Sequence, residues 1–163
     1  MDRLSKLAGQ KNLVVAVGYS YRARSAAAAT KRALDSGRFG RPVQIVCIAG
    51  QHFPTYRPTY REIYYRDRAT GGGAIQDGLT HCVNLGEWFV GPVDRIVADA
   101  AHQVLEGVEV EDTVHVLTRH GDVLGSYSLN SIRYPTRKLL PWSVKTEPSG
   151  IIPILTAGSG RCV

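Results

Sequence analysis

No apolar run in these 163 residues approaches the roughly 20 needed to span a bilayer, so a membrane helix is not expected. The start, Met1-Asp2-Arg3-Leu4-Ser5-Lys6, has no long apolar stretch ahead of a small-residue cleavage site, which argues against a signal peptide. Cysteine is scarce. Cys47, Cys82 and Cys162 are odd in number and widely spaced, which suits a reducing cytosol better than a disulfide framework; a cytoplasmic location is expected. No His/Cys cluster falls at zinc-site spacing, and Cys82 points away from His81 on a helix, so no metal is expected. There is no G-x-S-x-G elbow for a serine nucleophile. No G-x-G-x-x-G follows a strand and opens a helix, so a complete dinucleotide fold is not expected. The net charge is +6, yet there is no dense basic run. Half of the excess lies in residues 136–163, where Arg137, Lys138, Lys145 and Arg161 stand against Glu147 alone. Nucleic acid is therefore not an expected partner.

What is present reads as an α+β chain. Residues 1–10 suggest a short helix. Residues 12–18 (NLVVAVG) form a continuous apolar run, as in a strand buried on both faces. Residues 24–36 are rich in helix formers and stop at Gly37. Residues 42–50 (PVQIVCIAG) read as a strand. Residues 51–72 carry four tyrosines and four arginines and read as a long loop. Such a loop either carries function or packs on its own aromatics. Residues 74–90, after Gly71-Gly72-Gly73 and before Gly91-Pro92, make the best helix in the chain. Three strand-like segments follow at 93–105, 111–119 and 123–130, the last two joined as a hairpin across Gly121-Asp122. From Arg133 onward the pattern lapses, and an irregular tail is expected.

The sharpest constellation is Asp77 and His81, one helical turn apart. A carboxylate beside an imidazole fixes its tautomer and keeps it basic, as a general base for a hydroxyl proton requires. The glycine triplet ahead of it lets the backbone approach a ligand near a positive helix end. The same spacing also serves a plain surface or capping interaction.

Several stretches in residues 12–130 together carry a resemblance. They are VGYSYR, LDSGRFGRPVQI, YYRDRATGGGAIQDGLTHCVNLGEWFVGPVDRI and GVEVEDTVHVLTRHGDVLGSY. The chain resembles the glucose–fructose oxidoreductase/inositol dehydrogenase (Gfo/Idh/MocA) family. The most specific parts are Gly71–His81 and Glu111-Asp112-Thr113 at the start of a strand. The resemblance implies a two-domain dehydrogenase with NAD or NADP on a Rossmann domain. A second domain, an open and mainly antiparallel sheet with helices on one face, supplies the substrate wall. His81 would be the acid/base on a hydroxyl of a sugar-like or polyol-like substrate. Asp77 would orient it and touch substrate, and Arg66, Tyr19 and Arg22 would line the cleft. The family's Glu-Lys-Pro motif is absent from this sequence.

The expected organisation is a remnant of the nucleotide-binding domain at 1–20, with residues 12–18 as its last strand. A substrate domain follows at 21–132 and an atypical tail at 133–163. A shifted reading frame after about Pro135 would turn residues 136–150 into a strand, a turn and a strand. The chain by itself is expected to bind no cofactor and to be inactive. The main rival is a non-catalytic binding or assembly module, with a homo-oligomer through the sheet and Tyr56, Tyr60, Tyr64 and Tyr65 as a contact surface. A small carbohydrate-binding domain is a third reading.

Overall fold

The computed structural model describes residues 2–132, 139–146 and 150–157. Four α-helices occur among them: α1 (Asp2–Gln10), α2 (Ser25–Asp35), α3 (Phe53–Tyr56) and α4 (Thr80–Val90). The strands are β1 (Pro42–Gly50), β2 (Arg95–Ala101), β3 (Thr113–His120), β4 (Val123–Asn130), β5 (Leu139–Thr146) and β6 (Gly150–Ala157). They form one sheet in the order β2-β3-β4-β1-β5-β6. Only β1 and β4 run parallel; the other neighbouring pairs are antiparallel. The fold is thus α+β, an open and mainly antiparallel sheet with helices. A parallel pair needs a long crossover, which here contains the 51–72 loop, α4 and the β2–β3 hairpin.

Strand alternation decides which residues are inside. Ile45, Cys47 and Ala49 of β1, Val114 and Val116 of β3, and Tyr127 and Leu129 of β4 share one face. They pack against Ala27 of α2 and Cys82, Leu85 and Phe89 of α4. The opposite face is open, with Ile48, Val97, Leu117 and Leu124 exposed. The β3–β4 hairpin turns on Gly121-Asp122, where Gly121 takes a φ of 60°, as a tight two-residue turn requires.

A second, smaller core lies at the sheet's end. Phe53, Tyr60 and Tyr65 of the 51–72 loop bury themselves with Leu105, Val108 and Val110. The loop is therefore packed by its own aromatics. Tyr60 and Tyr65 belong to this core and not to a contact surface, while Tyr56 and Tyr64 stay exposed.

Two expectations about local structure are corrected. Residues 12–18 form no strand: they have no β partner among the described residues, and Val14 is 99% exposed. Apolar content suits a segment to burial, but a strand also needs a neighbour's backbone for its N–H and C=O groups. The chain beyond Arg133 is not irregular throughout, because 139–146 and 150–157 form β5 and β6, with β5 laid along β1. β5 pairs with β1 on one side and with β6 on the other, and these bonds are made by backbone groups that carry no side-chain period. Among the described residues no helix is long and apolar enough to cross a membrane.

Candidate functional site

The helix at 74–90 begins in a wide π-helical turn, Ile75–Leu79, and continues as α4. Its start is held by Glu111, whose backbone carbonyl accepts from Ala74 N and whose Oε1 accepts from Ile75 N at 3.0 Å. Arg68 donates to the other oxygen, Oε2, at 2.6 Å. A buried carboxylate at a helix start satisfies orphan N–H groups and complements the positive end. This explains the glycines. A Cβ on Gly72 would lie 2.2 Å from the Tyr65 carbonyl oxygen, and one on Gly73 2.4 Å from Glu111 Oε1. The close approach is to the chain's own Tyr65 and Glu111, where the sequence suggested a ligand.

Asp77 lies in the π-turn with its side chain 13% exposed. Both carboxylate oxygens are engaged from the 51–72 loop. Arg57 Nη1 donates to Oδ2 at 2.9 Å, and the Tyr64 hydroxyl donates to Oδ1. Arg57 also donates to the Tyr64 hydroxyl at 3.3 Å and lies over the Phe53 ring. The hydrogen bond to Asp77 pushes the Tyr64 pKa up, and burial adds to it. Burial works to lower the Arg57 pKa, but Asp77 and Tyr64 outweigh it and the net direction is up. Arg57 is thereby held as guanidinium and Tyr64 as neutral phenol.

His81 follows on α4, and the structure does not bring the Asp77 carboxylate to it. Asp77 is taken up by Arg57 and Tyr64. The imidazole sits between two rings instead. Tyr19 meets it edge-on at 5.4 Å and Tyr21 at 5.2 Å with a 34° tilt. Nδ1 is buried with no hydrogen-bond partner, and Nε2 has none among the described residues. Burial pushes the Tyr21 phenol up in pKa. Arg22 fastens this N-terminal stretch to α4, donating from Nε to Asn84 Oδ1 at 2.8 Å and from Nη2 to the Asn84 carbonyl at 3.1 Å. Tyr19, Arg22 and His81 therefore do come together, whereas Arg66 lies elsewhere. It lines a cleft of about 670 Å³ with Asp67, Arg68 and residues 107–110, a cleft to which neither Asp77 nor His81 contributes.

Sequence reasoning missed Arg57 and the roles of Tyr64 and Asp112. Arg57 is visible in the sequence only as loop composition, and Tyr64 reads there as part of a contact surface. Asp112 has no exposed surface, and its carboxylate accepts from the N–H groups of Gln103, Val104 and Leu105 and from the Thr113 hydroxyl. The triplet Glu111-Asp112-Thr113 is thus a structural clamp: Glu111 caps a helix, Asp112 ties the 102–105 loop, and Thr113 links to Asn130. A signal existed, two adjacent acids opening a strand, but nothing in the sequence names their partners.

Among the described residues no three of His, Cys, Asp or Glu converge as a metal site. Cys47 and Cys82 are free and buried, and burial together with its neighbour Cys82 pushes the Cys47 thiol up. Among the described residues, the space a Cβ would take at Gly72 and Gly73 is filled by Tyr65 and Glu111, and no glycine-rich turn joins a strand to a helix.

The family of Gfo/Idh/MocA C-terminal domains matches residues 27–146. No curated protein matches the chain. A WlbA dehydrogenase from Bordetella pertussis, solved with NADH and UDP-GlcNAcA, superposes with a TM-score of 0.80 at 22% identity, over 95% of this chain and 44% of that one. The WlbA dehydrogenase from Chromobacterium violaceum, solved with the same two ligands, gives 0.71 at 27% identity, over 88% and 41%. An oxidoreductase from Thermotoga maritima gives 0.79 at 16% identity, over 95% and 46%. The chain spans less than half the length of these structures.

Proposed function

From the premise that the chain belongs to the Gfo/Idh/MocA C-terminal domain family, we propose that it is the substrate-side domain of a dehydrogenase acting on a hydroxyl of a sugar-like or polyol-like molecule. The observation that supports this reading is His81. An imidazole with no hydrogen-bond partner at either nitrogen among the described residues, one of them buried, is an unfinished site. Leaving such an atom unpaired costs about 1–3 kcal/mol, and the other nitrogen is available to a substrate hydroxyl. In the proposed reaction His81 takes the hydroxyl proton, and Asp77 contacts substrate once Arg57 and Tyr64 release it. Tyr19 flanks the ring. Arg22 acts through Asn84 by holding the Tyr19–Tyr21 stretch on α4, and Arg66 is at most a peripheral contact. The hydride acceptor, NAD or NADP, would be held by a nucleotide-binding unit other than these residues.

The test uses the 163-residue chain alone and fused behind a nucleotide-binding domain of a family dehydrogenase. Alone it should form no NADH from nucleotide sugars or polyols, and turnover there would overturn the proposed division of labour. The fusion should turn over, and His81→Ala should lower its kcat about 100-fold or more. An unchanged kcat in His81→Ala would remove His81 from the chemistry.

A second reading, an assembly module, has its own support in the open sheet face, where Leu117, Leu124, Val97 and Ile48 are exposed. A second copy would cover it. Leu117→Lys should then shift the sedimentation of the chain toward monomer.

A further inference from the structure

The sheet ends at β6 on one side and at β2 on the other. The two edges differ in sequence. β6 contains Pro153, and its neighbour β5 contains Pro141. Proline removes a main-chain donor and blunts an edge against pairing. β2, Arg-Ile-Val-Ala-Asp-Ala-Ala, has no proline, glycine or lysine and no break in its register with β3. Its outer row of N–H and C=O groups faces no other strand among the described residues. The helices do not reach over it: every residue from Arg95 to Ala100 is exposed, with Ile96 at 59% and Val97 at 72%. Arg95 and Asp99 have no ion pair or side-chain hydrogen bond among the described residues.

We propose that β2 pairs antiparallel with β2 of a second copy of this chain, centred on Val97, so that the two sheets become one. Two identical strands pair antiparallel about a two-fold axis, and each choice of centre fixes all the opposed residues. Centred on Val97, Arg95 faces Asp99 of the partner subunit, and Asp99 faces Arg95 of the partner subunit. Centred one residue later, on Ala98, Arg95 faces an alanine and Asp99 faces a valine. Centred one residue earlier, on Ile96, Arg95 faces Val97 and Asp99 faces Val93. Only the Val97 register matches both charges, and it does so twice by symmetry. Arg95, Val97 and Asp99 are two residues apart, so all three lie on one face. The ion pairs then flank a Val97–Val97 contact, while Ile96 lies against Ala98 of the partner subunit on the other face. The inference is independent of the dehydrogenase reading, and it uses the outer edge of β2 where stacking would use the open face, on which Val97 neighbours Leu117.

Sedimentation velocity of the 163-residue chain over a concentration series gives the dimer constant. Arg95→Glu and Asp99→Arg each oppose like charges twice, and each should raise the dissociation constant at least tenfold. The reversal Arg95→Asp with Asp99→Arg should return it to within about threefold of the parent. Circular dichroism checks that each variant is folded. Val97→Cys, in a Cys162→Ser background, supplies a second measurement. Directly opposed residues stand about 4.5–5.5 Å apart at Cα, within disulfide reach, so mild oxidation should give a covalent dimer. Ile96→Cys, which faces Ala98, should cross-link at least tenfold more slowly. Leu117→Lys on the open face should leave the Val97→Cys cross-link intact. A chain that stays monomeric to its solubility limit, a double reversal no tighter than the singles, or equal cross-linking at 96 and 97 would each overturn the proposal. So would loss of the cross-link in Leu117→Lys, which would assign the association to the face.

Discussion

Asp112 accepts from three consecutive backbone N–H groups, at 3.1 Å from Gln103, 2.7 Å from Val104 and 2.8 Å from Leu105, and from the Thr113 hydroxyl at 2.9 Å. Burial works to raise its pKa, but these donors outweigh it and the net direction is down. A lowered carboxyl pKa contributes stability that is fully present above the unfolded value, about 3.9, and lost as pH falls through the folded value. Asp112→Asn puts an amide where these donors need an acceptor. Urea denaturation at pH 7 should show a loss of about 1–3 kcal/mol for each N–H left unpaired. The gap between parent and variant should narrow as pH falls below about 4, because only the parent loses its carboxylate. Equal sensitivity of both to acid would remove Asp112 from that role. His81 belongs to the other kind of residue. Its nitrogens have no partner to lose, so its substitution should register in turnover with little change in stability.

At the scale of one element, the start of the 75–90 helix is decided by backbone proximity more than by helix propensity. Gly72 is buried with Tyr65 and Asp67 carbonyl oxygens where a Cβ would stand, 2.2 and 2.7 Å away. Backbone atoms cannot swing aside as a side chain can. Gly72→Ala should therefore cost about 1–3 kcal/mol of unfolding free energy, with the effect visible in the urea midpoint. Gly91→Ala, which meets no atom within 4 Å, isolates the cost of a positive φ, there 102°, from that of a clash. If both substitutions cost the same, proximity at Gly72 is not the constraint. Past these glycines Asp77 meets Arg57 and Tyr64, while His81 lies between Tyr19 and Tyr21.

Over the whole molecule, two cores of different size share one sheet. The larger joins β1, β3 and β4 to α2 and α4, and the smaller joins the 51–72 loop to residues 105–110. Tyr65 belongs to the smaller core. It is fully buried, its hydroxyl lies 3.0 Å from Ser131 Oγ, and burial pushes its pKa up to about 12. Tyr65→Ala should destabilise by about 3–5 kcal/mol by the measure of large aromatic truncations. Hydrogen exchange should show residues 51–72 and 102–110 losing protection together while the β3–β4 hairpin keeps its own. Protection lost evenly across the sheet would show that the molecule has one cooperative unit. The same arrangement ties the site to the small core, since Arg57 and Tyr64, which engage Asp77, are carried on that loop.

Local signals in the sequence determined much of this. Pro42–Gly50 is a strand at the residues where its apolar run begins and ends, and the β3–β4 hairpin turns at Gly121-Asp122. The helix after the glycine triplet runs to Gly91, and the motif Gly71–His81 identified the family. These features depend on neighbours in sequence, whose spacing is fixed by the backbone itself. Tertiary structure decided the rest. Residues 12–18 have the composition of a strand but no β partner among the described residues, while 139–146 and 150–157 lack a clean period and yet form strands, the first paired with β1 and the second with the first. The Asp77 and His81 side chains are four apart in sequence and yet have different partners, because Arg57 and Tyr64 reach Asp77 from one distant segment and Tyr19 and Tyr21 reach His81 from another. Glu111 and Asp112 became a helix cap and a loop clamp only through groups up to about 40 residues away, a relation that no local spacing encodes.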